Sequence, residues 1–305
     1  MRRHVLQVRA APKIYEWRGH NVEKLTASRT ALATSLMRAA HTRLDPHPLI
    51  DDPWGDRLVP ESVKRVVASA GESLDESLRR NASYSNVIMR TRFAEDALQT
   101  AVAKGVSQYV LIGAGFDSFS LRRPTYAANL QIFEIDFPAT QGLKIERIDA
   151  CGIVLPDAVH FIAADLSQES VAAALARSTF DTKRLTFFSW LGVTMYLTRE
   201  ANLATLRSIA SCSPSASEVV FTYFDERVFQ AQSESFRALE QRVAAIGEPF
   251  LSGFAPAELA ANLAPCGLDL VEDVSGSEAL ARYDPSGEHS LGPSRFSHMA
   301  LARVK

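Results

Sequence analysis

Five short apolar runs, spaced at intervals through the middle of the chain, constrain its fold more than any other feature. They are YVLIG (109–113), QIFEI (131–135), VHFIA (159–163), LTFFSWL (185–191) and EVVFTYF (218–224). Helical stretches separate them. Continuous apolar strands joined by helices predict a parallel sheet covered on both faces. Two later runs, LDLVEDV (268–274) and SHMALARV (297–304), read as strands that together form an antiparallel edge. Residues 226–262, between the fifth run and these two, read as helical and are expected to form part of a lid.

The first hundred residues carry few strand signals. Thr26 to Arg43 is rich in Ala and Leu at helical spacing, with Thr26 or Ser28 available as an N-cap. Pro46, Pro48 and Pro53 exclude its continuation. A second helix is predicted from Ser83 to Ala103, with Gly105 where a C-cap falls. The expected organisation is an N-terminal helical cap over residues 1–104 and an α/β core over 105–305 that carries the lid.

Charge narrows the function classes. The 33 basic and 35 acidic residues leave a net charge of -2, which supplies no electrostatic reason to expect nucleic acid or an anionic membrane. No stretch approaches the ~18 consecutive apolar residues of a membrane span. The opening MRRHVLQVRAAPKIYEW is basic, but Arg9 and Lys13 interrupt its apolar residues, so it lacks a signal-peptide core. A cytoplasmic protein is therefore expected. Cys151, Cys212 and Cys266 are far apart and fit no zinc spacing, so they read as free thiols and no metal site is expected.

The chemistry concentrates in YVLIGAGFDS. A buried strand enters Gly113-Ala114-Gly115, where glycines allow a tight turn and let backbone N–H groups approach a ligand. Asp136 ends the next strand, where a carboxylate can accept hydrogen bonds from both hydroxyls of a cofactor ribose. Asp165 ends the one after, placed to receive an adenine amino proton beside the apolar Leu166, or else to cap a helix. Ligand-type residues at the ends of three successive strands point to a nucleoside cofactor. A dinucleotide fingerprint would carry a third glycine, which this chain lacks, and Asp117 would set negative charge against a pyrophosphate. The same carboxylate suits a cationic cofactor, which favours S-adenosylmethionine over NAD.

These residues bring a family resemblance into view. The stretches PLIDDPWGDRLV, MRTRFAEDAL, VLIGAGFDSFSLR, IFEIDFPATQGLK, AADL, SWLGVTMYLT and GEPFLSGFAPAEL resemble, in order, the leucine carboxyl methyltransferase-like family, especially its bacterial branch. The resemblance implies a Rossmann-like class I methyltransferase sheet with an N-terminal helical cap. It implies S-adenosylmethionine as cofactor, contacted by Gly113, Gly115, Asp136, Phe137, Asp165 and Leu166. It also implies that a cap arginine, Arg90 or Arg92, binds the cofactor carboxylate. Two residues apart on a helix, these point about 200° apart, so one is expected to face the site. The family often has a glutamate where this chain has Leu191, which removes whatever that glutamate does. Tyr196 remains as a residue that could line the pocket.

Methyl transfer from a sulfonium asks the protein to align nucleophile, methyl and sulfur and to exclude water. A carboxylate acceptor is already ionised at neutral pH, whereas a phenol or alcohol usually needs a base. His41, His47, His160, His289 and His298 are scattered and form no base motif. The expectation is an O-methyltransferase acting on a carboxylate or hydroxyl of a small molecule or peptide. A nicotinamide-dependent oxidoreductase and a non-catalytic S-adenosylmethionine-binding protein are the alternatives.

Overall fold

A computed structural model of the chain describes residues 28–68, 72–231, 236–237, 240–241, 244, 249–294 and 296–305. Thr26, the basic opening segment and part of the expected lid lie outside the described residues. The five apolar runs form β1 (Gln108–Ile112), β2 (Gln131–Asp136), β3 (Val159–Ala163), β4 (Thr186–Trp190) and β5 (Glu218–Phe224). Their pairings with one another are parallel. The two later runs form β6 (Leu268–Ser275) and β7 (Ser297–Val304), and β7 pairs antiparallel with both β5 and β6. The sheet order is β3-β2-β1-β4-β5-β7-β6. From β1 the chain builds outward through β2 and β3, then returns to place β4 on the other side of β1. That reversal opens a crevice at the C-terminal ends of β1 and β4, where ligands bind in open α/β sheets.

Helices cover both faces, as the unbroken apolar character of the strands requires. On one face α5 (Tyr84–Ala103) packs Met89, Phe93, Leu98 and Ala101 against Tyr109, Leu111, Phe187 and Val220. On the other, α9 (Arg199–Ser211) contributes Leu206 and Ile209 to a cluster with Phe133, Phe188, Trp190 and Phe221. Fully burying side chains of this kind contributes roughly 1.5–3 kcal/mol each. These two layers hold the strand ends that build the site.

Ahead of the sheet, α1 (Arg29–Leu44) starts at Ser28, whose hydroxyl accepts from the Ala31 N–H. It ends before the proline-rich segment, as the sequence predicts. Arg38 in α1 pairs with Asp52 through Nε at 2.7 Å and donates from Nη2 to the Phe116 carbonyl at 2.8 Å. Both side chains are buried, and Phe116 packs among Leu32, Leu36 and Val87. The helical N-terminal region is thus tied to the turn after β1.

Within 226–262, helix is present in α10 (Arg227–Ala231), at the described residues 236–237, 240–241 and 244, and in α11 (Leu259–Leu263), with a short 3-10 turn at Pro256–Glu258. Residues 249–254 instead run as an irregular return segment. The Phe254 N–H donates to the Phe224 carbonyl at 2.9 Å, and the Leu251 N–H donates to the Met195 carbonyl at 2.7 Å. Pro249 and Pro256 bracket this segment and cannot sit inside a helix. Gly253 passes so close to the Phe224 carbonyl that a Cβ there would lie 2.4 Å from its oxygen. Among the described residues, no helix is long and apolar enough to cross a membrane.

Candidate active site

The turn after β1 is shaped by contacts on both sides. Gly113 and Ala114 donate their N–H groups to the Ile135 carbonyl of β2, at 2.9 and 3.1 Å. Gly113 has φ +66° and Gly115 φ +52°, in the left-handed region that favours glycine. A Cβ on Gly113 would lie 2.6 Å from Val193 Cγ2, and one on Gly115 would lie 2.9 Å from Ala31 Cβ. Glycine is needed here for space as well as for conformation. The helix that follows, α6 (Phe119–Arg122), is a single turn. It offers little of the aligned dipole that a pyrophosphate would use. Asp117 accepts the Phe119 N–H at Oδ1, 2.7 Å, and its other oxygen has no hydrogen-bond partner among the described residues.

Asp136 stands at the end of β2, directly beside this turn. The Gly115 N–H donates to its Oδ2 and the Phe137 N–H to its Oδ1, the latter at 2.6 Å. Burial pushes its carboxyl above the usual range, opposed by these two N–H groups. Each carboxylate oxygen retains a further lone pair, enough for two hydroxyl donors. Phe137, at the head of α7 (Pro138–Ala150), leaves 49% of its surface exposed beside Asp136.

At the end of β3, Asp165 Oδ1 accepts both the Ser167 hydroxyl at 2.7 Å and the Ser167 N–H at 3.0 Å. Those bonds hold its carboxyl below the usual range. Its Oδ2 has no hydrogen-bond partner among the described residues, and Leu166 packs against the main core alongside. The strand ends therefore bring Gly113, Gly115, Asp117, Asp136, Phe137, Asp165 and Leu166 along one sheet edge.

The two arginines part company. Arg90 of α5 lies over Gly192, the residue after Leu191 at the end of β4, and a Cβ on Gly192 would fall 2.5 Å from Arg90 Nη1. Its guanidinium makes no hydrogen bond or ion pair among the described residues. Burial brings its pKa down to about 10, with Tyr196, Arg38 and Asp117 the charges that act on it. Arg92 points elsewhere: it pairs with Asp96 at 2.8 Å and donates to the Leu49 carbonyl at 3.2 Å. Its guanidinium is thus engaged away from Gly192, so the two arginines leave α5 in different directions.

Gly192 is a residue that the sequence reading passed over. It has φ +71°, and its N–H donates to Thr222 Oγ1 at 2.7 Å. The available signal was a glycine directly after an apolar strand, the same signal that identified Gly113. Leu191 turns into the hydrophobic cluster under α5. Tyr196 lies within electrostatic reach of Arg90 and packs against Phe250, with ring centroids 5.5 Å apart. Phe250 in turn lies edge-on to Phe224 at 4.9 Å. Phe224, Val228 and Phe236 form a cluster there with the partly exposed Tyr196, Phe229, Phe250 and Phe296.

These residues fit S-adenosylmethionine in its separate parts. A guanidinium without a hydrogen-bonding partner among the described residues matches a carboxylate, and Asp117 nearby matches an ammonium. Asp136 matches a ribose diol, and the free oxygen of Asp165 beside Phe137 and Leu166 matches an adenine.

Comparison with known proteins places the chain in a family. The model of the leucine carboxyl methyltransferase family matches residues 31–210. YktD from Bacillus subtilis, which bears the name of an S-adenosyl-L-methionine-dependent methyltransferase, is 30% identical over 275 residues, covering 83% of this chain and 90% of that one. A Mycolicibacterium smegmatis protein named for the same activity is 31% identical over 204 residues, covering 65% and 67% of the two chains. A duf574 family protein from Streptomyces avermitilis shares the fold with a TM-score of 0.59, at 16% identity, over 92% of this chain and 98% of that one. A Thermobifida fusca structure named as a methyltransferase does so with a TM-score of 0.55, at 15% identity, over 88% and 94%. Structural neighbours at such identities speak to the fold alone, whereas the family model spans more than half of the chain and one relative matches most of it. This chain belongs to the leucine carboxyl methyltransferase family and is an S-adenosylmethionine-dependent methyltransferase.

Proposed function

We propose that the chain methylates an oxygen, in the first place a carboxylate oxygen, on a small-molecule or peptide acceptor. The observation that carries the reading is the aromatic wall between Arg90 and the return segment, formed by Tyr196, Phe224, Phe250 and Phe296. None of these side chains is a base at neutral pH. An acceptor whose oxygen is already ionised needs alignment and exclusion of water, which such a wall supplies.

In this reading Arg90 holds the cofactor carboxylate and Asp117 faces its ammonium. Asp136 accepts from the ribose hydroxyls. Asp165 accepts from the adenine amino group, and Phe137 and Leu166 flank the ring. Gly113, Gly115 and Gly192 keep the backbone and the Arg90 guanidinium close enough to leave room. When bound, S-adenosylmethionine supplies an electrophilic methyl group for in-line substitution. Tyr196 and Phe250 orient the acceptor and keep water from the transfer path.

The test has two stages. Titration calorimetry with S-adenosylhomocysteine and NAD checks the cofactor: binding of the former alone is expected, and binding of NAD alone overturns the assignment. Methyl-labelled cofactor is then supplied with a panel of carboxylic acids and phenols. Label that is released by mild alkali as methanol marks a methyl ester and supports the carboxylate reading. Alkali-stable label marks an ether and moves the acceptor to a hydroxyl.

A further inference from the structure

Beneath Asp136 lies an ion pair that cofactor contact does not explain. Glu134 sits two residues earlier on β2, so its side chain leaves the strand on the same face as Asp136. Lys144, from the second turn of α7, pairs its ammonium with Glu134 Oε2, and each side chain is only 1% exposed. The Ser120 hydroxyl donates to Glu134 Oε1 at 2.7 Å, and Gln141 Nε2 donates to the Glu134 carbonyl at 2.9 Å. Burying two charges costs several kcal/mol per ion, and apolar residues of similar volume often serve stability as well or better. A pair buried in that position calls for a reason beyond stability.

We propose that Lys144, held by Glu134, is a positioning residue that keeps the Asp136 carboxylate ionised for its work on the cofactor ribose. The inference rests on the reading of Asp136 given above. Asp136 is half-buried at the end of its strand, and burial favours the protonated acid, which would lose acceptor capacity toward two hydroxyls. Against this stand the Gly115 N–H from the glycine turn, the Phe137 N–H from the head of α7, and the ammonium of Lys144 further along α7. Glu134, on its own strand, acts in the opposite sense. From β3, the Ala164 N–H donates to the Asp136 carbonyl rather than its carboxylate, Asp165 is half-buried and bonded to Ser167, and the Phe161 ring lies 6.0 Å from Lys144 Nζ. Lys144 is thus the side-chain cation that acts most strongly on Asp136. Glu134 and Ser120 fix where that cation sits.

The two charges of the pair push the ribose carboxylate in opposite directions, so removing each should move its titration in the opposite sense. The experiment is the pH dependence of S-adenosylhomocysteine affinity by calorimetry, with Tm recorded for each protein. The ligand's own titration is common to all variants. In Lys144→Met the acid-side loss of affinity moves to higher pH, by about one unit, the size of shift a nearby charge produces. In Glu134→Gln it moves to lower pH. The double variant leaves neither charge unpaired and lies between the two, and Lys144→Arg follows the wild type. Any two of these variants that fold are enough to read the order.

Coincident acid limbs, or a reversed order, overturn the proposal. Asp136→Asn separates this failure from failure of the underlying site. If that variant binds S-adenosylhomocysteine as tightly as the wild type, the reading of Asp136 falls. If it binds weakly while the other limbs coincide, only the role of Lys144 falls.

Discussion

The guanidinium of Arg90 occupies the space that a side chain on Gly192 would need, 2.5 Å from the position of a Cβ. One residue comes from the long helix ahead of the sheet and the other from the turn after β4. Their contact joins the N-terminal helices to the C-terminal edge of the sheet. Gly192→Ala should therefore displace Arg90 and strain a backbone held at φ +71°. We expect S-adenosylhomocysteine affinity to fall at least about tenfold, the equivalent of ~1.4 kcal/mol in calorimetry. Unchanged affinity would mean that Arg90 does not need this seat.

Arg90 and Arg92 should behave differently on replacement. Arg90→Met keeps the packing but removes the charge, and loss of hydrogen bonds to a charged group costs roughly 1.5–3 kcal/mol. The loss should appear with S-adenosylhomocysteine and be absent with adenosine, which has no carboxylate. Arg92→Met, whose partners are Asp96 and Leu49, should change either affinity by no more than about 0.5 kcal/mol. Equal losses for both ligands in Arg90→Met would reject its role as carboxylate anchor.

Asp136 makes the sharpest claim on the ribose. Asp136→Ala should weaken S-adenosylhomocysteine by roughly 1–3 kcal/mol. Comparing adenosine with 2′-deoxyadenosine makes the effect specific. The wild type should prefer adenosine, and the variant should lose that preference. A preserved preference would place the ribose elsewhere.

Acid stability tests a group outside the site. His41 is buried, with its Nε2 accepting the Leu49 N–H at 3.0 Å, and burial lowers its pKa from 6.5 to about 4. The unfolded chain therefore takes up a proton at this residue before the folded chain does, so this contribution to stability is full above pH 6.5 and is lost as pH falls toward 4. The span corresponds to about 3 kcal/mol. His41→Gln keeps an acceptor for Leu49 and does not titrate. Chemical denaturation should show a flatter decline for that variant between pH 6.5 and 4, and parallel curves would refute the assignment.

Much of the architecture was legible in periodicity. All seven strands lie within two residues of their predicted ends, because an apolar run of that length, bounded by polar and turn residues, fits a two-sided buried sheet. Ser28 and the proline cluster bound α1 by local chemistry. Within the stretch 226–262, read as helical, residues 249–254 take an irregular path, set by Gly253 against the Phe224 carbonyl. That constraint comes from a strand thirty residues away and leaves no local mark.

The candidate site divides in the same manner. The glycine turn and the acids at the ends of β2 and β3 were visible in the sequence, since each is a short-range pattern tied to the end of a strand. The choice of Arg90 over Arg92 could not be made there, because helix geometry separates the two directions but does not say which one meets the sheet edge. Gly192 under Arg90 and Lys144 against Glu134 became apparent only when separate elements packed together. What the chain decided alone was its local order: which segments extend, which coil and where they stop, all set by sterics and hydrophobic spacing. Which charged groups face the crevice was decided by tertiary structure, because burial and pairing depend on neighbours brought in from distant parts of the chain.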